Sequence, residues 1–443
     1  MMWETKIFEE LYLEPSRNGI YKPKEFHGRG CKIVNMGELF AYDFVGQQDM
    51  KRVELNEKEL ERDTLKDGDI LFGRRSLVES GAGKSSIVKN LNEPTTYESS
   101  VIRLRLNKKH SNPYFYYYWL LSPSGKGAIA SIVTGANVKG IKSSDLKNII
   151  VPTPPLPTQQ KIAGILSAYD DLIENNLKRI KLLEEMAQIT YEEWFVRLRF
   201  PGHESIPVNP ETGLPVGWTK EPLGKHLKFV KGKKVDELFT EYAEGLVRIM
   251  LLDSLESGNF KFTTPDKHVS TKRGDLVMCM DGARSSHVFY AEDGIVGSTM
   301  AKIEAKVLPV SLLYLFFKSV LESLQTNNTG AAIPHANKAF INSIEFPIPP
   351  TLVLQKWNSC IAKLNSQVWN LRDQNQRLRE ARDILLPRLM TGVIDVESYD
   401  PTVMPLQNGI QNHGARDPDF RRDDTLPPTV MLLKNAIQKK NSL

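Results

Sequence analysis

The chain has 443 residues, more than a single core organises, so its length calls for two to four domains. Hydrophobic residues make up 41% and charged residues 25%, the balance of a globular protein, and no apolar run is long enough to span a bilayer. The net charge of +5, from 58 basic and 53 acidic residues, admits nucleic-acid binding only if the basic residues are gathered on one face.

The three cysteines, Cys31, Cys279 and Cys360, stand alone, with no CxxC pair and no clustering with the eight histidines. This spacing argues against a structural zinc site and a disulfide framework, and no cofactor is expected. Residues 1–10 carry acids where a secretory signal needs a basic start and an apolar stretch, so a cytoplasmic protein without membrane contact is expected.

In chain order, β-branched and aromatic runs broken by Gly, Asn and Pro predict strands at 68–72 and 101–106. Between them, V-E-S-G-A-G-K-S-S (78–86) resembles a phosphate loop, but Val78 stands where that pattern needs glycine. The segment preceding it also reads as a surface hairpin. Asn112-Pro113-Tyr114 lacks the second proline of the N-P-P-Y of amino-methyltransferases, and the aromatic stretch 113–121 predicts a helix. From Pro157 to Pro201 there is no other proline and one glycine, Gly164. Apolar residues recur there at Ile162, Leu166, Tyr169, Ile173, Ile180, Leu183 and Ala187. This alternation of four and three predicts a long helix over 156–200 with a coiled-coil seam.

The second half repeats the plan over 201–350, with a strand at 275–280 and a helix at 309–321. Pro265-Asp266 has no acid-x-lysine triplet after it to complete a metal-nuclease motif, and no serine, cysteine or histidine arrangement marks a nucleophile. A second long helix is predicted over 351–392, its seam at Trp357, Ile361, Leu364, Val368, Leu371, Leu378 and Leu385, with Pro387 ending it. The extension 393–443 is rich in Pro, Asn and Asp and is expected to be poorly ordered, with a short amphipathic pattern at 425–441.

The two halves are a repeat. L-K-D-G-D-I-L-F-G-R (65–74) matches T-K-R-G-D-L-V-M-C-M (271–280) at an offset of 206, and T-G-A-N-V (134–138) matches T-G-A-A-I (329–333) at 195. The offset of 195 then holds without gaps: Pro152, Pro154 and Pro155 fall on Pro347, Pro349 and Pro350, and Gln160-Lys161 on Gln355-Lys356. Helices of about 40 residues, ~60 Å long, are implausible alone in water, so the two are expected to pack as an antiparallel pair. Each seam has one polar interruption, Asn176 at a d position and Asn375 at an a position. These amides are expected to meet mid-pair and fix the register. The expected fold is therefore α+β, with two mostly stranded domains alternating with two helices in pseudo-two-fold symmetry.

G-D-I-L-F (68–72), K-S-S-D-L-K-N-I-I-V-P-T-P-P-L-P-T-Q-Q-K-I (142–162), L-P-V-G-W (214–218) and L-L-P-R-L-M-T-G (385–392), in this order, resemble the specificity subunit of type I restriction-modification enzymes over residues 1–397. The resemblance implies target-recognition domains at 1–155 and 201–350, each reading half of a bipartite site in double-stranded DNA. The helices at 156–200 and 351–392 would space them and dock two modification (methyltransferase) subunits. Restriction subunits would join through the complex, which carries the catalysis that this chain lacks. Lys178, Arg179, Glu184, Glu185, Arg372, Asp373, Arg379 and Glu380 are the expected docking residues.

DNA contacts fall to cations and amides on loops. In the first half these are Arg74, Arg75, Ser80, Lys84, Asn137, Lys139 and Lys142, then Arg17, Lys22 and Lys24. In the second they are Lys231, Lys233, Lys234, Arg284, Ser285, Asn327, Asn328 and His335. Two other readings stay open: a self-sufficient DNA methyltransferase or nuclease with the same readers, and a coiled-coil scaffold protein.

Overall fold

In the computed structural model, which describes residues 3–76, 81–265 and 268–396, the recurring Gly-Asp pair marks the turn into the central strand of each of two sheets. The first lobe runs β1 (Thr5–Ile7), β2 (Tyr12–Asn18), β3 (His27–Val34), α1 (Met36–Ala41), β4 (Phe44–Val45), β5 (Arg52–Val53), α2 (Glu57–Asp63), β6 (Ile70–Gly73), β7 (Arg75–Ser76), β8 (Ser85–Val88), β9 (Thr95–Tyr97), β10 (Val101–Leu106), α3 (Pro113–Leu121), α4 (Pro123–Ile132), β11 (Lys139–Gly140), α5 (Ser143–Leu146) and β12 (Ile150–Pro152), and leads into the long helix α6 (Leu156–Tyr191). The second runs β13 (Thr219–Pro222), β14 (Leu227–Lys231), β15 (Val247–Met250), α7 (Leu252–Ser257), β16 (Lys261–Thr263), β17 (Ser270–Thr271), β18 (Leu276–Cys279), β19 (Val288–Tyr290), β20 (Gly294–Val296), β21 (Met300–Ala305), α8 (Val310–Ser319), α9 (Leu321–Thr326), α10 (Lys338–Ser343) and β22 (Glu345–Ile348), and leads into α11 (Thr351–Met390).

The sheets repeat as the sequence does. The order β2-β10-β6-β8-β4 in the first lobe answers β14-β21-β18-β19 in the second, and β5-β3-β9 answers β16-β15-β20-β17. The parallel pair β3·β9 recurs as β15·β20, and the antiparallel pair β1·β12 as β13·β22. Gly68 and Gly274 turn at φ of 89° and 91°, a conformation open to glycine. The following aspartates close each turn by accepting a backbone N–H, Asp69 from Lys66 and Asp275 from Lys272, both at 2.8 Å. Each also binds a cation of the adjacent strand: Arg105 meets Asp69 at 2.7 Å and Lys302 meets Asp275 at 2.6 Å. The repeated Gly-Asp is thus a structural device. A second close approach lies at Gly19 and Gly232, where a Cβ would stand 2.1 Å from the Tyr97 carbonyl oxygen and 2.2 Å from that of Gly297.

α6 and α11 start from Pro155 and Pro350 as N-caps, prolines whose extended backbone sets the turn out of the sheet. α6 ends at Tyr191, short of residue 200, and passes into a single π-turn at Glu192–Val196 that seats Trp194 and Phe195 in the core. α11 continues through Pro387 to Met390 instead of stopping there. The helices run antiparallel: Asp170 faces Arg382, Asn176 faces Asn375, and Glu184 faces Arg372.

Each lobe closes its core on both helices. The first packs α3 and its sheet on Ile162, Ala163 and Leu166 of α6 and on Leu386, Leu389 and Met390 of α11. The second packs on Tyr191, Trp194 and Phe195 at the end of α6 and on Val353, Leu354, Trp357 and Ile361 of α11. Tyr191, Trp194 and Phe195 are Leu386, Leu389 and Met390 at the 195 offset. Trp218 of the 214–218 motif packs on Phe195 and Phe200, and Trp3 sits against Phe115 in the first lobe's core, beside Ile394 and Val396. No helix among the described residues is long and apolar enough to cross a membrane.

Candidate nucleic-acid interface

The lead-in turn of each central strand rests on the helix pair. In the second lobe Arg273 forks onto Asp373 of α11 with two bonds of 2.8 Å, and a Cβ on Gly274 would stand 3.1 Å from the Trp369 ring. In the first, Lys89, next to the Gly68 turn through the Gly68 N–H to Val88 carbonyl bond, pairs with Asp171 of α6. The opposite end of each central strand therefore leads away from the helices, into a loop that pairs with a second loop.

That pairing occurs at equivalent places. In the first lobe Arg75 and Gly140 are partners in β7·β11, and Thr134 and Gly140 exchange backbone bonds of 2.9 and 2.8 Å. In the second, Asp281 bridges His335, and Thr329 and His335 exchange bonds of 2.9 and 2.7 Å. The offset is 206 on one side of the contact and 195 on the other, so the two offsets of the sequence repeat converge on one joint.

The structure brings Arg74, Arg75, Asn137, Lys139 and Lys142 together on the first of these joints. Arg74, Arg75 and Lys142 line one shallow cavity, with Arg75, Asn137 and Lys142 exposed. Lys84 is tied to Asp43 at 2.8 Å. Ser80 lies outside the described residues. Arg17 stands on β2 opposite Arg103, and Lys24 is exposed in a one-turn helix. Lys22 departs from the expectation. Its ammonium is held by Glu59 at 2.7 Å and lies over the Phe26 ring, with the side chain only 12% exposed, so it fastens α2 to the preceding loop.

On the second joint, Lys231 and His335 both bind the Asp281 carboxylate, at 3.2 and 2.8 Å. Burial pushes Asp281 up, but the hydrogen bonds from His335 and Lys231 outweigh it and hold the carboxyl below its usual range. Arg284 pairs with Glu256 at 3.4 Å. Lys233 and Lys234 are exposed at the end of β14. Ser285 and Asn328 are corrected inward: Ser285 is fully buried, and its hydroxyl meets the Asn328 amide at 2.6 Å, which braces the turn. Asn327 is likewise engaged, donating to the Ser323 carbonyl and accepting from the Asn337 amide.

The residues that sequence reasoning missed are the acids Asp43, Glu256 and Asp281. Selection by donor chemistry passed over them, although the 206 offset that puts Arg75 and Asp281 in one slot was available. The look-alike motifs serve the fold. Asn112 caps α3 by accepting from the Tyr114 and Phe115 N–H groups, and Ser86 donates to the Leu39 and Tyr42 carbonyls.

Between the lobes, Asn176 Nδ2 donates to Asn375 Oδ1 at 2.9 Å in a buried setting. Among the expected docking residues, Lys178, Arg179, Glu185, Arg379 and Glu380 face outward. Asp373 is turned to Arg273, and Glu184 with Arg372 spans the two helices at 2.8 Å.

The sequence profile of the type I restriction modification DNA specificity domain matches residues 32–185 and 246–364, more than half of the chain and once in each half. The chain belongs to this family. It is similar to the type I restriction enzyme MjaIX specificity subunit of Methanocaldococcus jannaschii, 26% identical over 399 residues, which are 85% of this chain and 89% of that one. It is 32% identical to the EcoKI specificity subunit of Escherichia coli over 189 residues, 41% of this chain and 40% of that one. Among solved structures, the S subunit of a type I system from M. genitalium shares the fold, with a TM-score of 0.53 at 17% identity over 87% of this chain and 96% of that one. These likenesses favour the specificity-subunit reading over a self-sufficient enzyme or a scaffold.

Proposed function

We propose that this chain is the DNA-recognition subunit of a cytoplasmic type I restriction-modification complex, in which each lobe reads one half of a bipartite duplex site. The observation that carries this is the repeated joint: two paired loops at the end of the central strand remote from the helices, built once per lobe. Loops set on a rigid sheet suit base and phosphate contacts, arginine and lysine toward phosphates and guanine, asparagine toward adenine. Arg74, Arg75, Asn137, Lys139 and Lys142 form one such group, and Lys231, Lys233, Lys234, Arg284 and His335 the other.

The helix pair holds the readers apart. α6, with 36 residues, is about 54 Å long at the helical rise of ~1.5 Å per residue. The Asn176–Asn375 amide pair fixes the register, since sliding either helix leaves two buried amides unpaired. The outward charges Lys178, Arg179, Glu185, Arg379 and Glu380 dock two modification subunits, which supply the adenine methylation. The restriction subunits join through the complex.

Co-expression with the modification subunits, followed by mapping of methylated adenines, tests the reading. The expected result is one motif of two short specified parts with a fixed unspecified gap. A single continuous motif would refute the assignment of one half-site to each lobe.

A further inference from the structure

The two joints occupy one slot in the repeat but differ in how their charge is compensated. On the first, Arg74, Arg75, Lys139 and Lys142 have no carboxylate partner among the described residues, and only Lys84 is paired, with Asp43. On the second, Asp281 takes both Lys231 and His335, and Glu256 takes Arg284, while Lys233 and Lys234 are exposed beyond β14. Position 75 carries an exposed cation where position 281 carries a carboxylate that gathers two neighbours.

We propose that the lobes divide the work of DNA binding, the first anchoring the duplex by charge and the second reading it with a smaller uncompensated charge, with Asp281 setting the division. This rests on the DNA-recognition reading above. A cation already neutralised by a carboxylate releases few counterions from DNA, because it must exchange one anionic partner for another. A free arginine or lysine contributes its full share. Sequence-independent affinity therefore comes mainly from the first lobe. The second lobe adds less attraction to random duplex, so more of its contribution depends on hydrogen bonding to the correct bases. A device of this kind limits trapping on non-cognate DNA, which competes in vast excess.

Salt dependence separates the possibilities without knowledge of the target. The full-length chain, assembled with its modification subunits, is titrated onto a random-sequence duplex over a range of salt concentrations, and log affinity is plotted against log salt. Contacts made by the other subunits cancel between variants.

Arg74→Ala with Arg75→Ala is expected to make the slope shallower by about two, near 0.9 per lost phosphate contact. Arg74→Lys with Arg75→Lys keeps the slope and shows that charge is responsible. Asp281→Asn, which preserves shape while freeing Lys231 and His335, steepens the slope by about one and raises affinity for random duplex about tenfold at low salt. An arginine pair without effect on the slope, or an Asp281→Asn slope equal to wild type, overturns the division while leaving DNA recognition standing. Salt-independent binding by the wild-type assembly, or none, removes the DNA-recognition reading and the division with it.

Discussion

Asp170 lies at the junction of α6 with the first lobe, 5% exposed, accepting from the Tyr118 hydroxyl at 2.6 Å and from Arg382 of α11 at 2.5 Å. Burial raises its carboxyl above the usual range, against the pull of Arg382 and the two hydrogen bonds. Asp170→Ala leaves Arg382 without this partner and is expected to cost about 3–5 kcal/mol in urea unfolding. Asp170→Leu with Arg382→Met should recover most of that loss, since a packed apolar pair replaces a desolvated ionic one. Asp281 has the opposite sign. Its carboxyl is held below the usual range, so the stability it adds is complete above the unfolded value near pH 4 and is lost as pH falls through the folded value. Thermal melts from pH 5 downward should show a gentler acid decline in Asp281→Asn than in wild type. Neither aspartate was legible in the sequence. Asp170 adjoins Tyr169, which the seam pattern assigned to the interface, and Asp281 lay among residues chosen for their donors.

At the scale of elements, periodicity carried the long helices and the aromatic α3, because apolar spacing records which face is buried. It failed at their ends. Leu386, Leu389 and Met390 are buried in the first lobe's core at 8%, 1% and 6% exposure. Their packing carries α11 past Pro387, whose missing N–H falls in the final turn where one lost bond is tolerable. Leu389→Ala is expected to destabilise by about 2–5 kcal/mol, read by thermal unfolding, and to loosen α11 from the first lobe. Two-residue strands such as β7 were invisible because the loop contact, not local propensity, makes them. Mid-pair, the symmetry mate of Asn176–Asn375 at the 195 offset is Ile180 with Leu371, which pack together as hydrophobes. The amide pair is thus off the axis. Asn375→Leu alone strands a buried amide and should cost about 1–3 kcal/mol. Asn176→Leu with Asn375→Leu should melt higher than that single variant yet recognise a less sharply defined gap, seen as mixed spacings in the methylation map.

For the whole molecule, the repeat was fully legible as an offset, whereas the closure of each lobe on both helices was not, because no local pattern records that residue 8 and residue 389 share one core. If the helix pair sets the gap, inserting one heptad into each helix at matching positions lengthens the spacer by about 10 Å, or roughly three base pairs at ~3.4 Å each. The methylated motif should then keep both specified parts and gain that many unspecified positions. The same closure has a further consequence through Trp3. It enters the core that also holds Ile394 and Val396, as Trp218 enters the core formed at the end of α6. The end of α11 and the residues flanking β1 thus meet in one core, as the end of α6 and those flanking β13 meet in the other. Which lobe comes first in the gene is then a matter of where a ring has been cut. A chain opened within 202–213 and joined from 396 to 3 would keep the residues that close both cores.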